Sequence, residues 1–202
     1  LARAYWDKGV WEDAVAWASE AIARDESNAQ AHLWKGDALR QLAAAARPGA
    51  GRLALYRDAR DDYRAFLNLT NFESSLGERL AFHFLGFGIG RRRHADREEA
   101  WRDLRTSGYL GLCITEQRTG NPLRAREYCR RAVDYDEGNP IAHFLLGNVN
   151  RDLFNVYQTC NYLGAAAGSY TRMLELNEYL AESDNARNYR EQITGFANQL
   201  GC

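Results

Sequence analysis

Residues 25–42 read DESNAQAHLWKGDALRQL, and residues 136–153 read DEGNPIAHFLLGNVNRDL. The two stretches align without a gap at an offset of 111 residues. The identical pairs are Asp25 and Asp136, Glu26 and Glu137, Asn28 and Asn139, Ala31 and Ala142, His32 and His143, Gly36 and Gly147, Arg40 and Arg151, and Leu42 and Leu153. So many identities at one offset predict an internal repeat.

A shorter period underlies this offset. Ala2 and Gly36 are 34 residues apart, and so are Cys113 and Gly147. The offset of 111 is therefore three periods of 34 with nine extra residues. The extra length is assigned to 43–51, where a run of alanines meets a Pro-Gly pair that favours a turn. A period of 34 is typical of stacked helix-turn-helix units.

Small and aromatic residues recur within these units. The first segment has Leu1, Ala2, Tyr5, Gly9, Trp11, Ala14, Ala21 and Asn28, and the later one has Leu112, Cys113, Gly120, Ala125, Tyr128, Ala132, Asn139 and Pro140. On these residues the chain resembles the tetratricopeptide repeat family, in which Gly ends one helix and Ala lets paired helices approach closely. The family usually has Pro where this chain has Glu26 and Glu137.

The resemblance implies an all-α fold. We expect a right-handed α-solenoid of about five helix pairs with a C-terminal capping helix and a concave inner face. Residues 1–202 are expected to form one superhelical domain, with repeats at about 1–28, 29–71, 73–106, 107–139 and 140–179 and a cap at 183–201. We expect Ser183 or Asp184 to be the N-cap of that last helix.

Segment 73–106 matches the repeat least well. We interpret 75–89 and 95–105 as the two helices of a degenerate unit, because three periods require a unit at this place. The alternative is one continuous helix over 95–118, since its apolar and small residues keep to one face.

Composition excludes several classes of function. The net charge of -1 gives no basic surface for nucleic acid. No apolar run approaches the ~18–20 residues that span a bilayer, and the richest, 80–89, is about half that length. The chain begins with Leu1 and has no visible signal peptide, so we expect it to be a processed or truncated chain.

Four cysteines suggest two bridges. Cys113 and Cys129 lie symmetrically about the turn at Asn121, so they should face one another in one helix pair. Cys160 is placed at the end of the first helix of the last repeat, near Cys202 at the end of the cap. Paired cysteines indicate an oxidising compartment, periplasmic or extracellular, whereas unpaired ones would be small core residues. No spacing typical of a zinc site is present.

Other motifs favour structural interpretations. His32 and His143 occupy equivalent repeat positions, which indicates packing rather than catalysis. Neither His83 nor His94 has a partner nucleophile in the sequence pattern. The glycine-rich 86–90, followed by three arginines, is more typical of a helix end than of a phosphate loop, because no strand precedes it. A glycosylation triplet over 68–70 matters only in a secreted eukaryotic protein.

The resemblance also implies a binding face. In tetratricopeptide proteins the first helix of each pair lines the inner surface, which often holds a peptide or a helix. The matching residues are Arg3, Trp6, Asp7, Leu33, Asp37, Arg40, Gln41, Leu110, Ile114, Gln117, Arg118, Phe144, Asn148, Arg151 and Asp152. Only Asn148 and Arg151 are similar to the carboxylate clamp of chaperone-binding members, because the lysines are missing.

We therefore predict a non-enzymatic scaffold or adaptor, of bacterial and extracytoplasmic character, that binds a partner protein without a cofactor or metal. The alternative is a structural subunit of a larger assembly, formed by repeat-to-repeat packing or self-association. A helical toroid enzyme would need a cluster of carboxylates or histidines, which the pattern does not supply.

Overall fold

The computed structural model describes residues 9–70 and 89–201, with side chains placed for 9–70 and 101–201. Within these ranges every regular element is a helix. The eight helices are α1 (Trp11–Arg24), α2 (Ala29–Ala45), α3 (Ala50–Leu69), α4 (Ile89–Arg118), α5 (Pro122–Tyr135), α6 (Pro140–Tyr157), α7 (Cys160–Leu176) and α8 (Ser183–Leu200). Neighbours along the chain pack together: α1 with α2, α2 with α3, α5 with α6, α6 with α7, and α7 with α8. The predicted all-α fold of sequential helix pairs is confirmed.

The chain divides into two compact units, which we call unit 1 (Leu1–Gly108) and unit 2 (Tyr109–Cys202). Unit 1 contains α1 to α3 and the first part of α4, and unit 2 contains the rest of α4 and α5 to α8. The single superhelical domain over 1–202 and its division into five repeats stay predictions.

Small residues form the helix contacts of unit 1. Ala14 and Ala18 of α1, Ala38 of α2 and Ala59 of α3 are all 0% exposed. A methyl side chain at each crossing lets the helix axes approach to about 8–10 Å. Tyr63, one turn beyond Ala59, is also 0% exposed and fills the space that the small residues leave. The alanines of these helices are thus part of the buried core of unit 1.

Unit 2 has two buried clusters that share helix α6. One consists of Cys113, Ala125, Cys129, Val149 and Leu153. The other consists of Phe154, Leu163, Ala166, Tyr170, Met173, Ala186 and Ile193. Consecutive residues of α6, Leu153 and Phe154, belong to different clusters, so this helix is the element that joins the two halves of the core.

The repeat is visible in the helix caps. The side chain of Asn28 accepts a hydrogen bond from the Ala31 N–H at 3.1 Å, and that of Asn139 accepts one from the Ala142 N–H at 3.1 Å. Each bond gives a backbone N–H of the first helical turn a side-chain acceptor. Repeat-equivalent asparagines therefore cap the N-termini of α2 in unit 1 and α6 in unit 2.

The two equivalent histidines brace the turns before these helices. His32 Nε2 lies 3.4 Å from the carbonyl oxygen of Glu26, and His143 Nε2 lies 3.1 Å from that of Glu137. Both rings bridge six residues of backbone. The structural interpretation of this pair agrees with the geometry, because each ring ties a turn to the first turn of a helix.

The predicted break at 43–51 is present, because α2 ends at Ala45 and α3 begins at Ala50. Tyr63 and Asp37 are bonded across 26 residues in unit 1, whereas Tyr170 and Asn148 are bonded across 22 in unit 2. The connection between these paired helices is therefore four residues longer in unit 1 than in unit 2.

Helix α4 corrects the interpretation of 73–106. It runs unbroken over Ile89–Arg118, so 95–105 is not a separate helix and the boundary placed between 106 and 107 falls inside it. The alternative of one continuous helix over 95–118 is the correct one. A side chain at Gly108, inside this helix, would come within 2.7 Å of the Phe66 ring. The glycine is a site of close approach to α3, and most of the predicted 75–89 helix lies outside the described residues.

Two predicted helix ends shift by a few residues. Cys160 begins α7, whereas the sequence placed it at the end of the preceding helix, which finishes at Tyr157. The N-cap of α8 is Glu182, not Ser183 or Asp184. Ser183 is the first residue of the helix. Its hydroxyl donates to the Asn177 carbonyl at 3.1 Å and so stabilises the turn before the helix.

Candidate functional site

Two residues of α2 meet a tyrosine of α3 in unit 1. The Tyr63 hydroxyl donates to Asp37 Oδ1 at 2.7 Å, and Arg40 Nε donates to the same hydroxyl at 3.2 Å. Arg40 Nη2 also lies 3.7 Å from Asp37 Oδ1. Asp37 and Arg40 are neighbours on one helical face because they are three residues apart. The charge of Arg40 is therefore compensated within the chain.

Burial governs the protonation of this group. Burial raises the pKa of Asp37 above its ordinary value, and the bonds from Tyr63 and Arg40 offset part of that rise. Burial also raises the pKa of Tyr63 well above 10, with the neighbouring Asp37 charge acting in the same direction. The tyrosine is thus a neutral hydrogen-bond donor at physiological pH.

Another carboxylate, that of Asp62 on α3, contacts two side chains of α2, His32 and Lys35. Asp62 is 7% exposed. Its Oδ1 lies 2.9 Å from His32 Nδ1, and its Oδ2 lies 3.1 Å from Lys35 Nζ. A buried carboxylate is costly unless it is paired, so these contacts hold the α2–α3 pair together.

Unit 2 repeats the tyrosine contact with a neutral partner. The Tyr170 hydroxyl of α7 donates to Asn148 Oδ1 of α6 at 2.8 Å. Burial raises the pKa of Tyr170, so this hydroxyl also stays protonated. On the adjoining face, Gln117 of α4 donates from Nε2 to Asp152 Oδ2 at 2.6 Å. The two predicted face residues Gln117 and Asp152 therefore bond to one another.

Arg151 is held by an aromatic ring. Its guanidinium carbon lies 3.8 Å from the ring centroid of Tyr189 on α8. Tyr189 contacts Tyr170 at 5.7 Å between centroids, and Tyr170 contacts Phe144 at 6.0 Å. Among the residues that the structure describes, no carboxylate pairs with Arg151 and none accepts a hydrogen bond from it. Its charge is stabilised by the ring face, whereas the charge of Arg40 is stabilised by an acid.

The other predicted face residues have mixed outcomes. Leu33 is 2% exposed, so the prediction that it lines the face is wrong: this side chain belongs to the core of unit 1. Gln41, Ile114 and Phe144 are half-buried. Arg118 is exposed, and Leu110 is half-buried. Arg3, Trp6 and Asp7 lie outside the described residues.

Sequence reasoning missed the partners that fix these side chains. The roles of Tyr63, Asp62, Tyr170 and Tyr189 were not predicted. A signal was present for the tyrosines, since each follows a buried alanine by four residues, Ala59 in α3 and Ala166 in α7. The offset of 111 hides this correspondence because of the four-residue insertion.

One of the two predicted disulfides is present. Cys113 of α4 and Cys129 of α5 are bonded, with their Cα atoms 5.2 Å apart and both residues 0% exposed. The symmetric placement about the turn identified this pair correctly. Cys202 lies outside the described residues, so the bond between Cys160 and Cys202 stays a prediction.

The described part of the chain contains a cavity in unit 2. A cavity of about 340 Å³ is lined by Arg126, Tyr157, Thr159, Asn161 and Tyr162. Arg126 donates from Nε to Asn150 Oδ1 at 2.9 Å, which makes it a structural side chain. Over 9–70 and 101–201, no group of three or more His, Cys, Asp or Glu is placed to hold a metal ion. No described helix has the length and hydropathy to cross a membrane.

Solved structures with the same fold match along nearly the whole chain. The thermophilic tetratricopeptide repeat protein TTC0263 of Thermus thermophilus has a TM-score of 0.62 at 12% identity, covering 96% of this chain and 78% of that one. MamA has a TM-score of 0.58 at 12% identity, covering 98% and 85%. YrrB, described as a tetratricopeptide repeat protein with an unusual peptide-binding site, has a TM-score of 0.52 at 16% identity, covering 95% and 82%.

At these identities the likeness establishes the fold. The chain has the fold of the tetratricopeptide repeat proteins, as its 34-residue period and its small residues predicted. No protein-family model and no curated protein matches the chain in sequence.

Proposed function

We propose that the chain is a non-enzymatic adaptor that binds a peptide or a helix of a partner protein on the first-helix face of its repeats. This fold generally serves protein–protein interaction, and the neighbour YrrB is described as having a peptide-binding site. The proposed face is described in each unit separately. In unit 1 it comprises Asp37, Arg40 and Gln41 of α2. In unit 2 it comprises residues of α4 and α6, namely Leu110, Ile114, Gln117, Arg118, Phe144, Asn148, Arg151 and Asp152.

The observation that best supports this proposal is the aromatic and polar surface of unit 2. Phe144, Asn148 and Arg151 share one face of α6 and lie beside Tyr170 and Tyr189. Aromatic and arginine side chains held in fixed positions are typical of residues that contribute most to binding. Their contacts restrict rotation before a partner arrives, which lowers the entropic cost of association.

A displayed library of random 12-residue peptides tests the proposal. We expect the immobilised chain to enrich peptides that then bind in solution by calorimetry, and Arg40→Glu or Arg151→Glu to weaken that binding. Arg130→Glu is the matched control, because Arg130 is an exposed arginine on α5, a second helix. Unchanged affinity in both face variants would refute the face, and absence of any enriched peptide would refute the function.

The alternative is a structural subunit of a larger assembly. Phe196 and Leu200 of α8, four residues apart, are each 57% exposed and form an apolar surface that a second copy would cover. Light scattering over a concentration series tests it. A monomer at high concentration disfavours self-assembly, whereas association that Phe196→Glu abolishes supports it.

The proposed site of action is an oxidising compartment, periplasmic or extracellular. It rests on the buried bond between Cys113 and Cys129, since such bonds persist where thiols are not kept reduced. Mass spectrometry of the natural protein with and without reductant tests it. Four free thiols in protein isolated under non-reducing conditions would overturn the assignment.

A further inference from the structure

The cavity of about 340 Å³ in unit 2 shares no residue with the proposed face. Its lining comes from α5, from the end of α6, and from the connection to α7 with the first turn of that helix. The volume lies within the range of about 300–1,000 Å³ that is usual for ligand sites in proteins. Val156, the neighbour of Tyr157 in the lining, is 62% exposed, so apolar surface lies at the edge of the cavity.

Two tyrosines supply the apolar part of the lining. The ring centroids of Tyr157 and Tyr162 are 6.1 Å apart, and the ring planes are inclined by 38°. Between them the chain turns at Gln158, which has a φ of 53°, an uncommon value for a residue with a side chain. This turn brings both rings to one cavity. Because Tyr157 is 49% exposed, its ring is available to a partner.

The polar groups of the lining are chiefly hydrogen-bond donors. The hydroxyls of Tyr157 and Tyr162 and the amide of Asn161 bond to no side chain that the structure describes. Arg126 Nε donates to Asn150 Oδ1 at 2.9 Å, and the guanidinium carbon lies 5.6 Å from the Tyr162 ring centroid. These contacts restrain the guanidinium and leave its two terminal NH₂ groups as further donors. The five lining residues include no acid, so a ligand that fits this cavity supplies acceptors.

We propose that this cavity binds a proline-rich segment of a partner protein in the polyproline II conformation. A segment in this conformation has no internal hydrogen bonds, so its carbonyl oxygens are acceptors for the donors of the lining. Proline has no N–H, so the segment brings few donors of its own. Its rings pack on aromatic side chains, as they do in other aromatic-lined grooves. The site is additional to the proposed face and does not rest on it.

Other occupants fit the lining less well. The carbonyl groups of a helix are bonded within the helix except in its last turn, so the donors of the cavity would lose water without gaining acceptors. An added strand needs an exposed sheet edge, and every regular element in the described ranges is a helix. An ammonium group, which aromatic rings also bind, would be repelled by Arg126. A polyproline II segment satisfies both the rings and the donors.

NMR spectroscopy of the full chain tests this inference. The probe is an oligoproline of about ten residues with both ends blocked. The comparison peptides are a flexible glycine–serine peptide and an alanine-rich helical peptide, blocked in the same way. We expect the oligoproline to shift the amide signals of 157–162 and the Arg126 Nε–H signal, and to bind at least about tenfold more tightly than either comparison peptide. Equal or weaker binding of the oligoproline, or shifts confined to other parts of the chain, would overturn the inference.

Substitutions in the lining assign the binding to this cavity. Tyr157→Ala should weaken oligoproline binding at least about tenfold, since aromatic side chains contribute strongly at binding sites. Asn161→Asp, which replaces a donor by an acceptor, should weaken it as well. Tyr179→Ala is the matched control, because Tyr179 is an 89% exposed tyrosine of the same unit outside the lining. Circular dichroism checks that each variant is folded. Unchanged affinity in Tyr157→Ala or Asn161→Asp, or an equal loss in Tyr179→Ala, would exclude the cavity as the site.

Discussion

Unit 1 and unit 2 solve one packing problem with different chemistry. In both, a glycine of the first helix faces a tyrosine of the second, and that tyrosine donates to the next residue of the first helix. In unit 1 the charged side chains of Asp37 and Arg40 contact each other, and both bond to the Tyr63 hydroxyl. Unit 2 has neutral Asn148 and an arginine on a ring. The difference shows that a repeat can keep its glycine–tyrosine packing contact while the residue after the glycine changes from the charged Asp37 to the neutral Asn148.

The largest expected difference between the units comes from the disulfide. Cys113 and Cys129 are bonded in unit 2, and their sequence counterparts in the first repeat are Ala2 and Ala18. Replacing both cysteines by Ala should lower the free energy of unfolding by about 3 kcal/mol, because the bond closes a loop of about 15 residues in the unfolded chain.

Calorimetry measures this effect as a fall of about 6–12 °C in the transition that includes unit 2, at about 2–4 °C per kcal/mol for a chain of this size. The single Ala18→Ser variant in unit 1 serves as a control for small changes at the equivalent place. A melting temperature unchanged by the double substitution would show that the bond contributes nothing to stability.

The glycine–tyrosine contact should be stricter in unit 2. A Cβ at Gly147 would lie 2.5 Å from the Tyr170 ring, whereas one at Gly36 would lie 3.0 Å from the Tyr63 ring. Gly147→Ala should destabilise the chain by about 1–2 kcal/mol, since overpacking of a rigid core outweighs the better helix propensity of Ala.

Urea unfolding compares this variant with Gly36→Ala, for which we expect a smaller loss. Gly164→Ala is the matched control, because this helical glycine is exposed and has open space at its Cβ. It should stabilise by up to about 1 kcal/mol. Equal effects of Gly147→Ala and Gly36→Ala would contradict the proposed difference in tightness.

The two asparagine helix caps should contribute equally to the free energy of unfolding in the two units. Asn28→Ala and Asn139→Ala each remove one side-chain acceptor from a first-turn N–H at 3.1 Å. Each should cost about 1 kcal/mol, measured by urea unfolding. A cost that differs severalfold between the two would mean that the shared cap does not carry the same role in both repeats.

The smallest expected effect is a pH dependence at Asp37. Its pKa is raised in the folded state, chiefly by burial, so the folded chain keeps this proton to higher pH than the unfolded chain does. The stabilisation is fully present below the unfolded value of 3.8 and is lost as pH rises through the folded value. Asp37→Asn, which copies unit 2, removes this dependence.

Urea unfolding of both chains between pH 3 and pH 7, a range of about 4 pH units around these values, checks the sign. The stability of the Asp37→Asn variant should improve relative to the natural chain as pH rises. A relative stability that falls with pH would show that pairing with Arg40 outweighs burial at this carboxyl.

Much of the fold could be predicted from local pattern. The offset repeat, the alanines at helix crossings and the break near Pro48 predicted helices and their order, because each depends on side-chain size or turn chemistry along a short stretch. For α4, the interpretation of 95–105 as a separate helix was wrong, and the alternative of one continuous helix was correct. The close approach of Gly108 to the Phe66 ring could not be predicted, because Phe66 is distant in sequence.

The sequence predicted which residues of the candidate site occupy equivalent positions, but it did not predict which side chains they contact. The repeat placed Asp37, Arg40, Asn148 and Arg151 in equivalent places, and it placed Leu33 wrongly because a face on a helix does not reveal what covers it. The partners come from other helices, and an insertion of four residues hid the correspondence of the two tyrosines.

The sequence by itself determined the repeat, the helical class and the first disulfide, because periodic small residues and symmetric spacing about a turn depend only on separation along the chain. The tertiary structure alone decided that the Tyr63 hydroxyl bonds to both Asp37 and Arg40 and that Arg151 lies on the Tyr189 ring. These contacts depend on distances of about 3–4 Å between groups from different helices, and no local pattern encodes such distances.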